Sequence, residues 1–371
     1  MIHHDEISTV AGYFLKRKQI DDIKPLQIGH INPTYIVRYH DDSARGILFL
    51  QRLNNHVFRN PMSVIRNIER ITTHLHTKVL AEGGKDPDRR TLQLVHAADG
   101  RAFTIDDAAQ FWRAYHYIEH SYSIDTVETA QQASATGHAF GEFVYLLADL
   151  PSPPLIETVE HFHDTRWRFE ELLRVIENDP LGRVAEAKYE IEFARSREFT
   201  ATSLIELLNR GVLPLRPVHN DTKVNNILFD VKSDEVLCVV DLDTVMPGLV
   251  AHDFGDLVRS SIGDHAEDES DLNKIRLRMP IFTSLARAYL AGTHDLLTET
   301  EIRSLATGIG VITLELGLRF LADYLQGDHY FVPQWPSQNL QRARVQFRLL
   351  ELIEQHAGEL QAIVQESRVK A

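Results

Sequence analysis

The sequence predicts an α+β protein with a small antiparallel-sheet lobe followed by a larger, mainly helical lobe. Two patterns predict this: short β-rich runs around polar turns fill the first third, and long amphipathic segments dominate after about residue 120. A third observation refines it, because the helical part contains a single strand pair, entered directly from the polar stretch "PVHNDTKVNNILFD" at 217–230. At 371 residues the chain exceeds what one core usually organises, and about two domains are expected at roughly 150 residues each. With 43% hydrophobic and 25% charged residues it lies in the ordinary globular range.

The elements follow in order. "MIHHDEISTVAGYFLKRKQI" has helical periodicity, early acids and no apolar core of a signal sequence, so a cytoplasmic protein is expected. "TYIVRYH" and "GILFLQRL" flank "DDSAR" as an antiparallel hairpin. In "NPMSVIRNIERITTHLHTK", Asn60 caps, Pro61 suits the first helical position, and Val64, Ile65, Ile68, Ile71 and Leu75 form the apolar face. Two further strands, "TLQLVHA" and "AFTID", surround an "ADG" turn, and "FWRAYHYIE" supplies core aromatics and a hinge. The lobe boundary therefore falls between residues 1–116 and 117–371.

Beyond the hinge, "DLPSPPLIE" reads as a proline-rich connection between helices. "NNILFD" and "VLCVVDLD", joined by "VKSDE", form the one hairpin, which presents polar residues at its ends. Its Cys238 is the sole cysteine, so no internal disulfide can form and a reducing compartment is expected. The apolar stretch "ATGIGVITLELGLRFLADYL" carries Glu315, Arg319 and Asp323, which fits a buried globular helix better than a membrane span. A formal charge of −14 argues against a dominant role on nucleic acid or anionic membrane. The run "DHAEDESD" reads as a solvated loop.

Acids recur within a short span: Asp221 in "HND", Asp241 and Asp243 in "DLD", and Asp253 and Asp256 in "HDFGD". Gathered carboxylates repel one another and lose hydration, which costs several kcal/mol per buried ion unless cations or donors compensate. Magnesium is the economical partner. It takes hard oxygen ligands, which suits Asp241 and the amide oxygen of Asn226. Asp221 precedes Asn226 by five positions, the spacing of a kinase loop whose Asp receives the acceptor hydroxyl proton and whose Asn holds metal. Lys223 is placed to neutralise charge on a transferred phosphoryl group. A metal-dependent phosphohydrolase built on His252 and Asp253 fits less well, since the other histidines are scattered without ligand spacing.

"VHNDTKVNNILFD" followed by "VVDLDTVMPGLVAHDFGDLVR" resembles the aminoglycoside phosphotransferase superfamily, whose fold is protein-kinase-like and two-lobed. Within it, "GHINPTYIV", "QRLN", "DTVMPG", "DFGD", "LRFLADYLQGDHYF" and "RARVQF" resemble the N-acetylhexosamine 1-kinases, over about residues 26 to 355. The resemblance implies Asp221 as catalytic base, Asn226 and Asp241 as magnesium ligands, and His219 as a brace of the loop. It further implies Asp243 as an aid to metal or substrate, Asp256 as a fastener of loop backbone, and Arg319 and Tyr330 as contacts to hexosamine hydroxyls. Arg319 also stands four residues before Asp323, a spacing that suits a helical ion pair.

In the nucleotide-binding small lobe the usual strand lysine is missing from "GILFLQRLN"; Arg52 is the nearest replacement, with Glu69 as its partner. The glycine-rich cover reduces to Gly29, with His30, Asn32 and Thr34 supplying polar contacts. Backbone around Tyr117 and Glu119 would receive the purine edge. The expected activity is transfer of the γ-phosphoryl of ATP, with Mg2+, to the anomeric hydroxyl of N-acetylglucosamine or N-acetylgalactosamine. The alternatives are another alcohol (an aminoglycoside, choline or homoserine) or a non-catalytic nucleotide-binding pseudokinase. The expected partner is a small molecule, with no nucleic acid or membrane, and the chain is a monomer or homodimer.

Overall fold

A computed structural model describes residues 4–16, 18–26, 31–42, 44–81, 83 and 86–368. In chain order the first elements are α1 (His4–Leu15), β1 (Gln19–Leu26), β2 (Thr34–His40), β3 (Arg45–Arg52), α2 (Pro61–Ala81), α3 (Pro87–Arg90), β4 (Thr104–Ile105), β5 (Phe111–His116) and β6 (Ser121–Tyr122). Then come α4 (Ala130–Leu147), α5 (Thr165–Asn178), α6 (Lys188–Arg195), α7 (Glu198–Asn209), β7 (Arg216–Val218), β8 (Ile227–Asp230), β9 (Val236–Val239) and β10 (Met246–Gly248). Helices α8 (Val250–Ile262), α9 (Met279–Gly292), α10 (Glu299–Gln326), α11 (Gln338–Gln355) and α12 (Ala357–Arg368) complete the chain. This is the expected α+β, protein-kinase-like fold, an antiparallel-sheet N-terminal lobe and a helical C-terminal region. The chain divides into two compact units, Met1–Tyr122 with Asp149–Glu160 and Leu228–Met246, and Ser123–Ala148 with His161–Ile227 and Pro247–Ala371.

The first unit is organised by an antiparallel sheet in the order β1-β2-β3-β5-β4. Alternation in β2 and β3 turns Val37, Leu48 and Leu50 into a core with Trp112 and Ala114 of β5, and α1 packs Val10, Ala11 and Phe14 against it. Strand β1, which the sequence pattern does not announce, survives at the edge because Asp22 and Lys24 face outward and Pro25 needs no ladder donor there. "TLQLVHA" is not a regular strand. It meets β5 through one bridge, Leu94 to Tyr115, and through Val95 N–H to Ala114 O at 2.8 Å and His116 N–H to Gln93 O at 3.0 Å.

Helix α2 starts where Asn60 Oδ1 accepts from Ser63 N–H at 3.3 Å, and all five of its expected apolar residues are buried. The same helix draws the proline-rich connection into this unit. Arg70 donates to the carbonyls of Pro151 and Pro153 at 2.5 and 2.6 Å, while the Asn67 amide brackets Ile156 at 2.7 and 3.0 Å. The β8–β9 hairpin joins it too, because Tyr122 and Ser121 pair with Phe229 and Asp230, and Arg89 lies 2.8 Å from Asp230. The boundary expected after residue 116 thus omits two later segments that pack with the first unit. Cys238 is buried, and burial pushes its thiol up to about 12, so it is inert.

In the second unit α10 is the central helix. Leu314, Leu318, Phe320 and Leu321 pack with Phe169 and Leu172 of α5, Phe193 of α6, and Ala343 and Phe347 of α11. Thr298 and Glu301 close a capping box at its start, and Arg216 clamps Glu301 at 2.5 and 2.9 Å. By length and composition α10 could cross a membrane, but 72% of its apolar window is buried inside the protein. Gly308 lets α10 approach α8 closely, since a Cβ there would collide with the Ala251 carbonyl. The "DHAEDESD" loop is tethered rather than merely solvated: Asp268 accepts from Gln338 at 2.7 Å and Glu267 lies 3.2 Å from Arg342.

Candidate active site

The loop after β7 reverses at Asn220, whose φ of 63° is left-handed. Such a turn leaves backbone N–H groups without ladder partners, and Asp253 at the start of α8 takes two of them. Its carboxylate accepts from His219 N–H and Asn220 N–H, both at 2.7 Å, while Thr222 Oγ1 donates to the Asp253 carbonyl at 2.6 Å. Burial raises the Asp253 pKa to about 7, against the pull of these two N–H donors. The His219 ring is wedged edge-on against Phe140 and close to Phe143 of α4, at 5.5 and 5.7 Å, and its Nδ1 accepts from Asp221 N–H at 3.3 Å. His219 therefore braces the loop through packing and backbone.

Held in this way, Asp221 faces Lys223 Nζ at 3.1 Å. Asn226 Nδ2 donates to the Asp221 carbonyl at 2.8 Å and lies 3.3 Å from its Oδ2. That donation commits the amide nitrogen and leaves Oδ1 as the group chemically able to serve as a hard-cation ligand. Burial works against the Asp221 charge, but Lys223, His219 and Arg259 outweigh it and bring the carboxyl below its usual range. Asp221 in turn raises the Lys223 pKa. Asp256 does not fasten the loop backbone as expected; it pairs with Arg259 at 2.8 Å, one turn on, and Asp253 does the fastening.

A second cluster stands on the same unit. Arg319 carries its guanidinium 5.5 Å from the ring centres of Phe162, Tyr330 and Phe331, and 3.9 Å from Glu315. Arg319 and Tyr330, both expected from the sequence as acceptor contacts, are thus neighbours in the structure. The helical pair to Asp323 does not form, because Asp323 is occupied by the N–H groups of His329, Tyr330 and Phe331 at 3.0, 2.8 and 2.9 Å. Burial and then the Arg319 charge lower the pKa of neighbouring Arg168. His163, which sequence reasoning missed, joins the two clusters: it reaches Glu315 at 2.9 Å and the Asn220 carbonyl at 2.9 Å. Residues 152 positions apart give no sequence signal of such a pairing.

The remaining candidates lie in the first unit. Asp241 follows β9 with a left-handed φ of 60°. Asp243 is sealed in an ion pair with Arg113 at 2.5 Å and accepts from Asn32 Nδ2 at 2.7 Å, so its expected part in metal or substrate binding gives way to a structural one. Burial opposes the Arg113 charge, but Asp243 raises its pKa above the ordinary value. Asn32 is spent in the same tie, since its Oδ1 accepts from Asn54 N–H at 2.9 Å. Thr34 donates to the Asn32 carbonyl at 2.9 Å from within β2. The expected Arg52–Glu69 pair is not formed: Glu69 faces His96 at 3.1 Å, and among the described residues Arg52 makes no ion pair. In the expected hinge segment, Tyr117 N–H is bonded to Ile47 O at 3.2 Å and the Glu119 carbonyl accepts from Arg89 at 3.0 Å. Gly29 and His30 lie outside the described residues.

No group of three or more His, Cys, Asp or Glu side chains among the described residues could hold a metal. An amide oxygen such as that of Asn226 is a hard donor of the kind magnesium takes alongside phosphates and water. An acid beside a lysine and an amide, on a kinase-like fold, is equipped to orient a hydroxyl and stabilise phosphoryl charge.

The chain belongs to the phosphotransferase enzyme family, whose model matches residues 22–294. Solved structures share the fold at low identity. An aminoglycoside phosphotransferase from Alicyclobacillus acidocaldarius has a TM-score of 0.59 at 12% identity, covering 99% of this chain and 97% of its own. An ethanolamine kinase from Plasmodium vivax has a TM-score of 0.54 at 13% identity, covering 93% and 84%. A spectinomycin phosphotransferase in complex with ADP and spectinomycin has a TM-score of 0.56 at 13% identity, covering 94% and 98%.

Proposed function

We propose that this phosphotransferase moves the γ-phosphoryl of ATP to the anomeric hydroxyl of an N-acetylhexosamine, N-acetylglucosamine or N-acetylgalactosamine, giving the sugar 1-phosphate. The acceptor oxygen forms a bond to the γ-phosphorus as the bond to the β–γ bridging oxygen breaks; ADP leaves and the hydroxyl proton passes to Asp221. A carboxyl held below its usual range is a weak base, which suits a loose transition state in which orientation matters more than deep deprotonation. Lys223 offers a point charge beside the reacting group. Magnesium, when bound, neutralises charge on the phosphates, and Asn226 and Asp241 are the residues proposed to hold it.

One observation favours an acceptor rich in hydroxyl and amide oxygens. Beside Tyr330 the Arg319 guanidinium lies 5.5 Å from the ring centres of Phe162, Tyr330 and Phe331. A guanidinium seated on aromatic rings suits hydroxyl and amide oxygens as acceptors of its N–H groups. The test is magnesium-dependent ATP consumption against N-acetylglucosamine, N-acetylgalactosamine, unacetylated hexoses, kanamycin, choline and homoserine, with phosphorus NMR on any product. A sugar 1-phosphate signal is expected. Turnover of kanamycin or choline with silence on every sugar overturns the acceptor assignment.

A further inference from the structure

The His163 side chain, 10% exposed, has an acceptor at each ring nitrogen: the Glu315 carboxylate at Nδ1 and the Asn220 carbonyl at Nε2, both at 2.9 Å. A neutral imidazole has one N–H and would set a lone pair against one of these oxygens. Only the doubly protonated ring satisfies both. The cation is compensated by Glu315, whose same oxygen lies 3.9 Å from Arg319. Helix α8 contributes His252, whose ring lies 5.5 Å from His163, and Asp256, while Phe162 packs beside it. Burial, and then the His163 charge, push His252 down to about 3, so it stays neutral and does not compete for Glu315. Burial opposes the His163 charge as well, but Glu315 and the two hydrogen bonds raise its pKa.

We propose that His163 and Glu315 are positioning residues for phosphoryl transfer, forming a buried ionic tie that fixes the Asn220–Asp221 turn relative to the Arg319–Tyr330 cluster. The acceptor half of this inference rests on the reading of Arg319 as an acceptor contact. Asp221 follows Asn220 directly, so a shift of the Asn220 carbonyl displaces the carboxylate that must meet the hydroxyl. Loss of Glu315 frees Arg319 and removes the counter-charge of His163 together. Errors of about 1 Å in such geometry are enough to slow transfer by as much as a hundredfold.

The test uses His163→Gln, Glu315→Gln and the double variant, which replaces the ionic pair by neutral groups of similar shape. Thermal melting, kcat, KM for ATP and for the acceptor, and the slow acceptor-free hydrolysis of ATP are measured on each. His163→Gln is expected to lower both transfer and acceptor-free hydrolysis by about tenfold with KM for ATP unchanged. Glu315→Gln is expected to raise the acceptor KM as well, and the double variant to be no worse than the worse single one, as for groups acting as a unit. Nitrogen-15 NMR of His163 should show both ring nitrogens protonated at pH 7.5 in the parent and one in Glu315→Gln, a readout that stands even if His163→Gln misfolds. Parent-like rates in folded variants, or losses confined to melting temperature, overturn the tie. If every sugar is silent but acceptor-free hydrolysis falls in the variants, the tie stands and the sugar assignment fails. If sugars react and the variants match the parent, the reverse holds.

Discussion

Asp243 and Asp221 each stand beside a basic residue, yet the two pairs are built for different work. Arg113 and Asp243 are 2.5 Å apart with side chains 2% and 3% exposed, and Asn32 completes the enclosure. Lys223 and Asp221 are 3.1 Å apart with side chains 47% and 26% exposed. A sealed pair cannot exchange partners without leaving a bare ion in a dry interior, whereas an open pair can let go at little cost. The acid that can be released is the one suited to meet a hydroxyl. The one that cannot is a rivet of the first unit.

The largest expected effect comes from breaking the rivet. Arg113→Met strands the Asp243 carboxylate and should cost about 3–5 kcal/mol of stability in urea unfolding, most of it recovered when Asp243 is also made apolar. If instead Asp243→Asn leaves stability unchanged and abolishes turnover, Asp243 belongs to the chemistry. Next, Asp221→Asn should lower kcat at least about a hundredfold, ~2.7 kcal/mol of barrier, with the melting temperature preserved. Near-parent turnover would remove Asp221 from the reaction.

Asp253 sharpens the contrast through pH. Its protonation costs one of the acceptors that hold the His219 and Asn220 N–H groups, so activity should fall as pH drops through about 7, an acid limb absent from Asp253→Asn. Stability should run the other way. The folded-state pKa is raised, so the contribution is fully present below the unfolded carboxyl value of about 4 and is lost as pH rises through about 7. A pH–rate profile with no limb near neutrality contradicts this. Lys223→Ala, in the open pair, should change stability by less than about 1 kcal/mol while lowering kcat about tenfold. The smallest effect is expected at Glu69→Gln: paired with half-exposed His96, it should leave turnover and melting unchanged, and a rise in KM for ATP would instead indicate that Glu69 serves the nucleotide.

Local pattern made much of this legible. The Asn60 cap and the apolar spacing after Pro61 announce α2, and the alternation of "TYIVRYH" and "GILFLQRL" announces the hairpin. The five-residue spacing from Asp221 to Asn226 announces the loop, because one short segment carries both groups. Strand β1 escaped because an edge strand can carry charge and proline on its open side. "TLQLVHA" looked more regular than it is, since its hydrogen bonds to β5 do not continue as a ladder.

The sequence alone therefore determined what short-range chemistry can determine: an α+β chain, a polar loop of kinase spacing, a helix with charges among its apolar residues and a single cysteine in an apolar strand. Tertiary structure decided which charge meets which. It took Asp243 into a dry pair with Arg113, gave the backbone fastening to Asp253 instead of Asp256, turned Glu69 to His96, and set His163 between Asn220 and Glu315. The reason is physical: a buried charge is stable only with a partner at contact distance, and folding can supply that partner from any point along the chain.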